Sequence, residues 1–234
     1  MGLILNIETA TDVCSVALAN EQGLIDCLEN TEGKSHSAVL TVLIDELFRK
    51  NKITIHQLDA VAVSMGPGSY TGLRIGVSVA KGLCYGLNKP LIAISTLQSM
   101  ASGFIRDQLT DNTTKEAWVC PMIDARRLEV YTAFLDNNLT FQSEIKAEII
   151  DETSFADILS THSVYFFGNG ADKCENIIKH PNAQFFNKFQ TSARNMILLA
   201  ENLFQQKDFV DVAYFEPYYL KDFVATIPKN KVLK

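Results

Sequence analysis

The sequence predicts an α/β fold, and three observations carry that reading. Short apolar runs rich in β-branched residues recur at 3–7, 13–19, 24–28, 58–65 and 91–94. Two long stretches of helical periodicity, at 35–50 and 70–87, lie between them. From residue 58 onward, strand, helix, strand and helix follow with short joins, as a parallel crossover requires.

Each element has a local cause. The first three runs are joined by the polar stretches 8–12 and 20–23, so they read as an antiparallel meander. Ser35 or Ser37 can cap the first helix. Val39, Leu40, Leu43 and Leu47 mark one face of it, and Val42, Ile44 and Phe48 a second. One apolar face is enough for a monomer's own core. Gly66-Pro67-Gly68 breaks the fourth strand, and Ser69 or Thr71 can cap the second helix. A third helix starts near Thr96. Beyond it, 117–124 and 129–135 read as a strand pair around Ala125-Arg126-Arg127, and 164–167 as a strand ended by Gly168-Asn169-Gly170. Ser192 caps a last helix over 193–206, and an irregular tail follows from Glu216. The division expected is 1–105, 106–215 and 216–234, with the last helix able to pack back on the first part.

The 234 residues are 47% hydrophobic and 21% charged, an ordinary globular balance. Net charge is −6. A protein that gripped nucleic acid alone would carry a basic patch, because phosphate contacts dominate affinity. The basic residues cluster only at Lys229, Lys231 and Lys234. The five cysteines form no CxxC and read as free thiols in a reducing compartment. No run reaches the ~18 apolar residues of a membrane span, and the N-terminus does not read as a signal peptide. A cytoplasmic protein is expected.

The richest segment is 66–76, with Gly66, Gly68, Ser69, Gly72 and Gly76 between a strand and a helix. Such a turn brings backbone close to a ligand and offers free N–H groups to an anion. It lacks the Gly-Lys-Ser/Thr of a phosphate-binding Walker loop, and its glycines are out of step with a dinucleotide fingerprint. A tight turn into a capped helix, with Ser69 or Thr71 as cap, is the commoner explanation. Within the helix, Gly72, Gly76, Gly82 and Gly86 each cost roughly 0.5–1 kcal/mol relative to alanine. Either the helix packs closely on its own sheet, or another chain's helix approaches it. The broadly apolar first helix favours the second. Glu8, Thr9 and Asp12 sit in a turn that could hold phosphate or a metal, although a solvated hairpin is the commoner case. The four histidines are never three or four residues apart, and HExxH and Gly-x-Ser-x-Gly are absent. Asp124, Arg126 and Arg127 read as a surface ion pair or a polar constellation at a strand end.

Residues 6–18, the 66–76 motif, Asp124-Ala125-Arg126-Arg127 with Glu129-Val130-Tyr131, Gly168-Asn169-Gly170-Ala171 and Pro217-Tyr218-Tyr219-Leu220-Lys221 together resemble the TsaB (YeaZ) family. That family is the accessory paralogue of the TsaD threonylcarbamoyltransferase. It usually has arginine where Lys221 stands. The resemblance implies an actin/sugar-kinase/Hsp70-like (ASKHA) fold of two related βαβ halves. It implies a non-catalytic subunit of the complex that makes N6-threonylcarbamoyladenosine in tRNA, one that activates TsaD and helps recruit the TsaE ATPase. Thr96 and Met100 stand where the catalytic paralogue's metal-binding histidines would be, and neither is a good ligand for such an ion. No catalytic residue and no metal site are therefore expected. An older naming of the family as a metallo-glycopeptidase is disfavoured on the same ground.

The resemblance also places the partner surface on the first two helices, here Val39, Leu40, Leu43, Leu47, Gly72, Leu73, Gly76, Val77, Ala80 and Leu83. The same surface would form a homodimer when TsaD is absent. tRNA would be met only through the complex, and no membrane is involved. A weak ATP- or ADP-binding module is the alternative, at Glu8, Thr9, Asp12, Gly66, Gly68, Ser69, Gly168 and Gly170. No intrinsic cofactor is expected.

Overall fold

The computed structural model describes residues 2–32, 35–109 and 117–221. The first half comprises β1 (Ile4–Glu8), β2 (Cys14–Asn20), β3 (Gly23–Asn30), α1 (His36–Asn51), β4 (Ala60–Gly66), α2 (Tyr70–Leu87), β5 (Leu91–Ser95) and α3 (Thr96–Gln108). The second comprises β6 (Trp118–Asp124), β7 (Glu129–Thr132), β8 (Lys146–Ile149), α4 (Ala156–Leu159), β9 (Val164–Phe167), β10 (Ala183–Phe186) and α5 (Ile197–Gln206). β8, α4 and β10 have no counterpart in the sequence reading. The last helix begins as a 3₁₀ turn over Ala193–Met196, with Ser192 accepting from the Arg194 N–H.

The first sheet has the order β3-β2-β1-β4-β5. Its meander is antiparallel, and β1, β4 and β5 run parallel. The second sheet has the order β10-β9-β6-β7-β8, which from its other end repeats the first. The pairing directions repeat as well: β6–β7 and β7–β8 antiparallel, β6–β9 and β9–β10 parallel. This internal duplication is the two-half ASKHA-like architecture.

Strand alternation sorts the core into layers. Leu5, Ile7, Val61 and Val63 face α1 and α2. Ile4, Ala60, Ala62, Ile92 and Ile94 face the other way and are covered by Met196, Leu199 and Ala200. Thus α5, late in the chain, completes the first half. α3 lies between the sheets, where Leu97, Met100 and Phe104 pack with Val119, Ile123 and Phe167. A boundary at 105/106 cuts through this helix, which runs unbroken to Gln108.

The helix faces require a correction. Leu40, Leu47, Leu73, Val77 and Ala80 are in the first half's own core, at most 4% exposed. Gly72 and Gly76 are buried too. Val39, Leu43 and Leu83 are half-buried against the same core. The fully buried residues cover the apolar face of β1 and β4 and are not offered outward, whereas Val39, Leu43 and Leu83 keep part of their surface exposed. Most of the stripe that reads as a partner surface is therefore the inner one.

Candidate functional site

The C-terminal ends of β1, β4, β6 and β9 converge, and a cleft of about 500 Å³ opens between the halves. In α/β sheets this is where ligands bind, because the strand-to-helix loops gather there. Asp12, Ser69, Thr71, Arg126, Tyr131 and Asn169 line it.

Backbone contacts build one wall. A Cβ at Gly68 would lie 2.4 Å from the Ala10 carbonyl oxygen, one at Gly72 2.1 Å from that of Thr9, and one at Gly76 2.2 Å from Thr9 Oγ1. Glycines spaced four apart thus let the start of α2 press on the β1–β2 turn. The Ser69 N–H donates to Ala10 O at 2.7 Å, and Ser69 Oγ accepts from the Gly72 N–H. His36, the first residue of α1, reaches the same turn, its Nε2 lying 2.8 Å from Thr11 O.

The opposite wall is the β6–β7 turn. The Asp124 N–H donates to Asn169 Oδ1, and Asp124 pairs with Lys173. Arg126 and Arg127 take φ of 75° and 50°, a left-handed backbone uncommon for non-glycine residues. Besides pairing with Lys173, Asp124 accepts from the Arg126 backbone N–H through Oδ1.

Of the residues predicted to hold phosphate, Asp12, Gly68 and Ser69 line the cleft and the others do not. Gly66 has φ 112° and abuts Tyr218 O. Gly168 abuts Met122 O, and Gly170 the Ile123–Asp124 backbone. These three are close-packing positions. Glu8 and Thr9 are buried beneath the floor, at 1% and 0% exposure. Glu8 Oε1 accepts from the Ala10 N–H at 2.7 Å, while Oε2 has no hydrogen-bond partner among the described residues. Burial pushes its carboxyl up to about 7, against the lowering pull of the Ala10 N–H. Thr96 and Met100 are buried at the head of α3, at 0% and 1%. Among the described residues no three His, Cys, Asp or Glu side chains gather as a metal cage.

The rim of the cleft is a segment the sequence presents as an irregular tail. The Tyr218 N–H donates to Met65 O at 2.7 Å. Tyr219 lies against Tyr70, ring centroids 4.8 Å apart, and Lys221 pairs with Glu129 of β7. Lys221 thus has an ion-pair role. No local pattern signals this, because every partner is at least 90 residues away except within the stretch itself.

The outer face of the helix pair is different. Gly82 and Gly86 meet no atom within 4 Å of a would-be Cβ. Tyr85 is 87% exposed and Val42 on α1 59%. The four glycines of α2 therefore split into an inward pair and an outward pair.

A family model described as "TsaD: tRNA N6-adenosine threonylcarbamoyltransferase" matches residues 29–229. The tRNA threonylcarbamoyladenosine biosynthesis protein TsaB of Escherichia coli K12 is 32% identical over 231 residues, 95% of this chain and 96% of that protein. The protein of the same description from Haemophilus influenzae is 27% identical, over 94% of this chain and 93% of that one. The solved structure of YeaZ from Pseudomonas aeruginosa superposes with a TM-score of 0.80 at 24% identity, over 94% of this chain and 100% of that one. The structural likeness speaks to the fold.

Proposed function

The chain belongs to the TsaB/YeaZ family of tRNA threonylcarbamoyladenosine biosynthesis proteins, and from that premise we propose that it is a non-catalytic docking subunit of the threonylcarbamoyltransferase complex. It binds and activates the catalytic transferase of the TsaD type and helps recruit a TsaE-type ATPase, in the cytoplasm. tRNA reaches it only through the assembled complex. Without the transferase, two copies pair through the same helices.

The observation that carries this reading is the outer face of α1 and α2. Gly82 and Gly86 expose helix backbone, and an almost fully exposed tyrosine stands between them. Interior glycines weaken a helix, and an aromatic anchor beside bare backbone suits close approach by another helix. The head of α3 supports the non-catalytic part, since Thr96 and Met100 present a hydroxyl and a thioether where imidazoles would be needed.

The test is co-elution with the transferase. Tyr85→Glu and Gly82→Arg are expected to abolish the complex and its threonylcarbamoyl transfer without destabilising the isolated chain by more than about 0.5 kcal/mol in thermal melts. A complex that survives both substitutions at full activity refutes the docking face. Charges at Leu40, Leu43, Gly76 or Val77 are unsuitable probes, because those positions lie in or against the chain's own core.

A second reading has one observation in its favour, the position of the cleft at the strand ends. There the chain would be a weak ATP- or ADP-binding module. Calorimetry of the isolated chain with ATP and magnesium decides it: a tight one-to-one isotherm favours the module, and flat heats favour the docking subunit.

A further inference from the structure

After α5 the chain returns along α2 to the cleft. Val210 bridges to Leu91, and Val212 and Phe215 turn inward onto the first core. Lys81 of α2 donates to two carbonyls of this stretch, Ala213 O at 3.1 Å and Phe215 O at 2.9 Å. Tyr214, between them, is 85% exposed. Further on, the Tyr218 N–H bonds Met65 O, and Gly66 leaves no room for a side chain against Tyr218 O. Tyr219 rests on Tyr70 at the head of α2, and Lys221 crosses the cleft to Glu129. α2 therefore holds this strap at both ends, and the strap's tip ties the first half to the second.

Another part of the interface is built differently. There Thr191 and Ser192 pair with Thr11 and Glu29, and the Ala193 N–H donates to Ser15 Oγ at 3.0 Å. These contacts are buried or part-buried and lie beside α3, as a hinge would. Among the described residues the strap's crossing is one exposed ion pair, and such pairs are worth little individually. The halves are held together along α3 by this polar seam and by the apolar packing of Leu97, Met100 and Phe104 on Val119, Ile123 and Phe167, while the mouth of the cleft is crossed only lightly, so motion about the α3 side would open the mouth.

We propose that residues 211–221 form a latch on the cleft, seated by Lys81 and closed by Lys221 on Glu129, so that docking on the outer face of α2 and opening of the cleft are coupled. The coupling rests on the docking reading; the latch does not. A protein covering Tyr85 meets the helix that carries the Lys81 clamp. Shifting the strap there moves its tip, because Tyr218 to Lys221 follow three to six residues after the Lys81-held Phe215 carbonyl.

Amide hydrogen exchange on the full chain tests this. Lys81→Met keeps the packed stem and removes both bonds. It is expected to speed exchange about three- to tenfold at Tyr218 and along the cleft segments 9–13, 66–72 and 124–131, with the hinge and β6 unchanged. Lys221→Gln is expected to do the same for 124–131. Faster exchange confined to 211–216 in the first variant overturns the latch, as does no change in either. With transferase added, protection at 82–86 with no change at Tyr218 or the cleft overturns the coupling and leaves the docking reading intact. Absence of any protection at 82–86 overturns the docking reading, while the Lys81→Met result still decides the latch.

Discussion

The two halves share a strand order and a pairing scheme, yet they cover their sheets with different material. The first lays a 16-residue helix and an 18-residue helix over one face. At the matching place in the second, between β8 and β9, stands a helix of four residues, and turns replace the other between β9 and β10. What fills the second layer instead is a set of rings. Phe134, Phe155, Phe166 and Phe185 pack against one another, with Phe166 stacked on Phe185 at 5.0 Å and on Phe155 at 5.8 Å. Large aromatics bury much area per residue, so one five-stranded sheet can be closed without long helices. The long helices of the first half therefore offer something beyond burial, and their outer face, open at Gly82 and Gly86, is where that surplus lies.

The comparison breaks most directly in the ring cluster. Phe166→Ala removes a fully buried ring and is expected to cost about 3–5 kcal/mol in denaturant melts. A loss below about 1 kcal/mol means that the rings do not close the second half. In the first half, Gly72→Ala is expected to cost about 3 kcal/mol, because the new methyl meets the Thr9 carbonyl, a backbone atom with little freedom to yield.

Beneath the same turn, Glu8 gives a pH-dependent contrast. Its folded-state value of about 7 lies above the ordinary 4.5, so the native state holds an extra proton between those values. Stability contributed by this group is complete at low pH and falls as pH rises from about 4.5 through about 7. Glu8→Gln is expected to stabilise the protein by up to about 3 kcal/mol at pH 8 and to change little at pH 4. Equal effects at both pH values contradict a buried, proton-holding carboxyl. The smallest change has the opposite sign to that of Gly72. Gly82→Ala is expected to stabilise the isolated chain by about 0.5–1 kcal/mol. If Gly82→Ala destabilises as Gly72→Ala does, the division of α2 into inner and outer glycines fails.

Much of the fold is legible in the residues. α2 is found at Tyr70–Leu87 as its periodicity predicts, and β9 at Val164–Phe167. β8 and β10 escape notice because they are four-residue edge strands, lysine-led or half-exposed, with no continuous apolar run. The candidate site is less legible. Asp12, Gly68 and Ser69 are flagged by turn chemistry and do line the cleft. Gly66, Gly168 and Gly170 carry the same chemistry and serve packing instead. A glycine needed for close approach looks the same in sequence whether a ligand or a carbonyl approaches it.

By itself, the sequence determined the alternation of strands and helices, the family, and the presence of two costly glycine pairs in one helix. These depend on periodicity, turn residues and motif, all local along the chain. Only the tertiary structure decided which pair faces inward, which helix face is free, and that the tail from Pro217 to Lys221 forms the rim of the cleft. Those facts depend on contacts between residues far apart in the chain, such as Tyr218 with Met65 and Lys221 with Glu129, and no local pattern encodes such a partner.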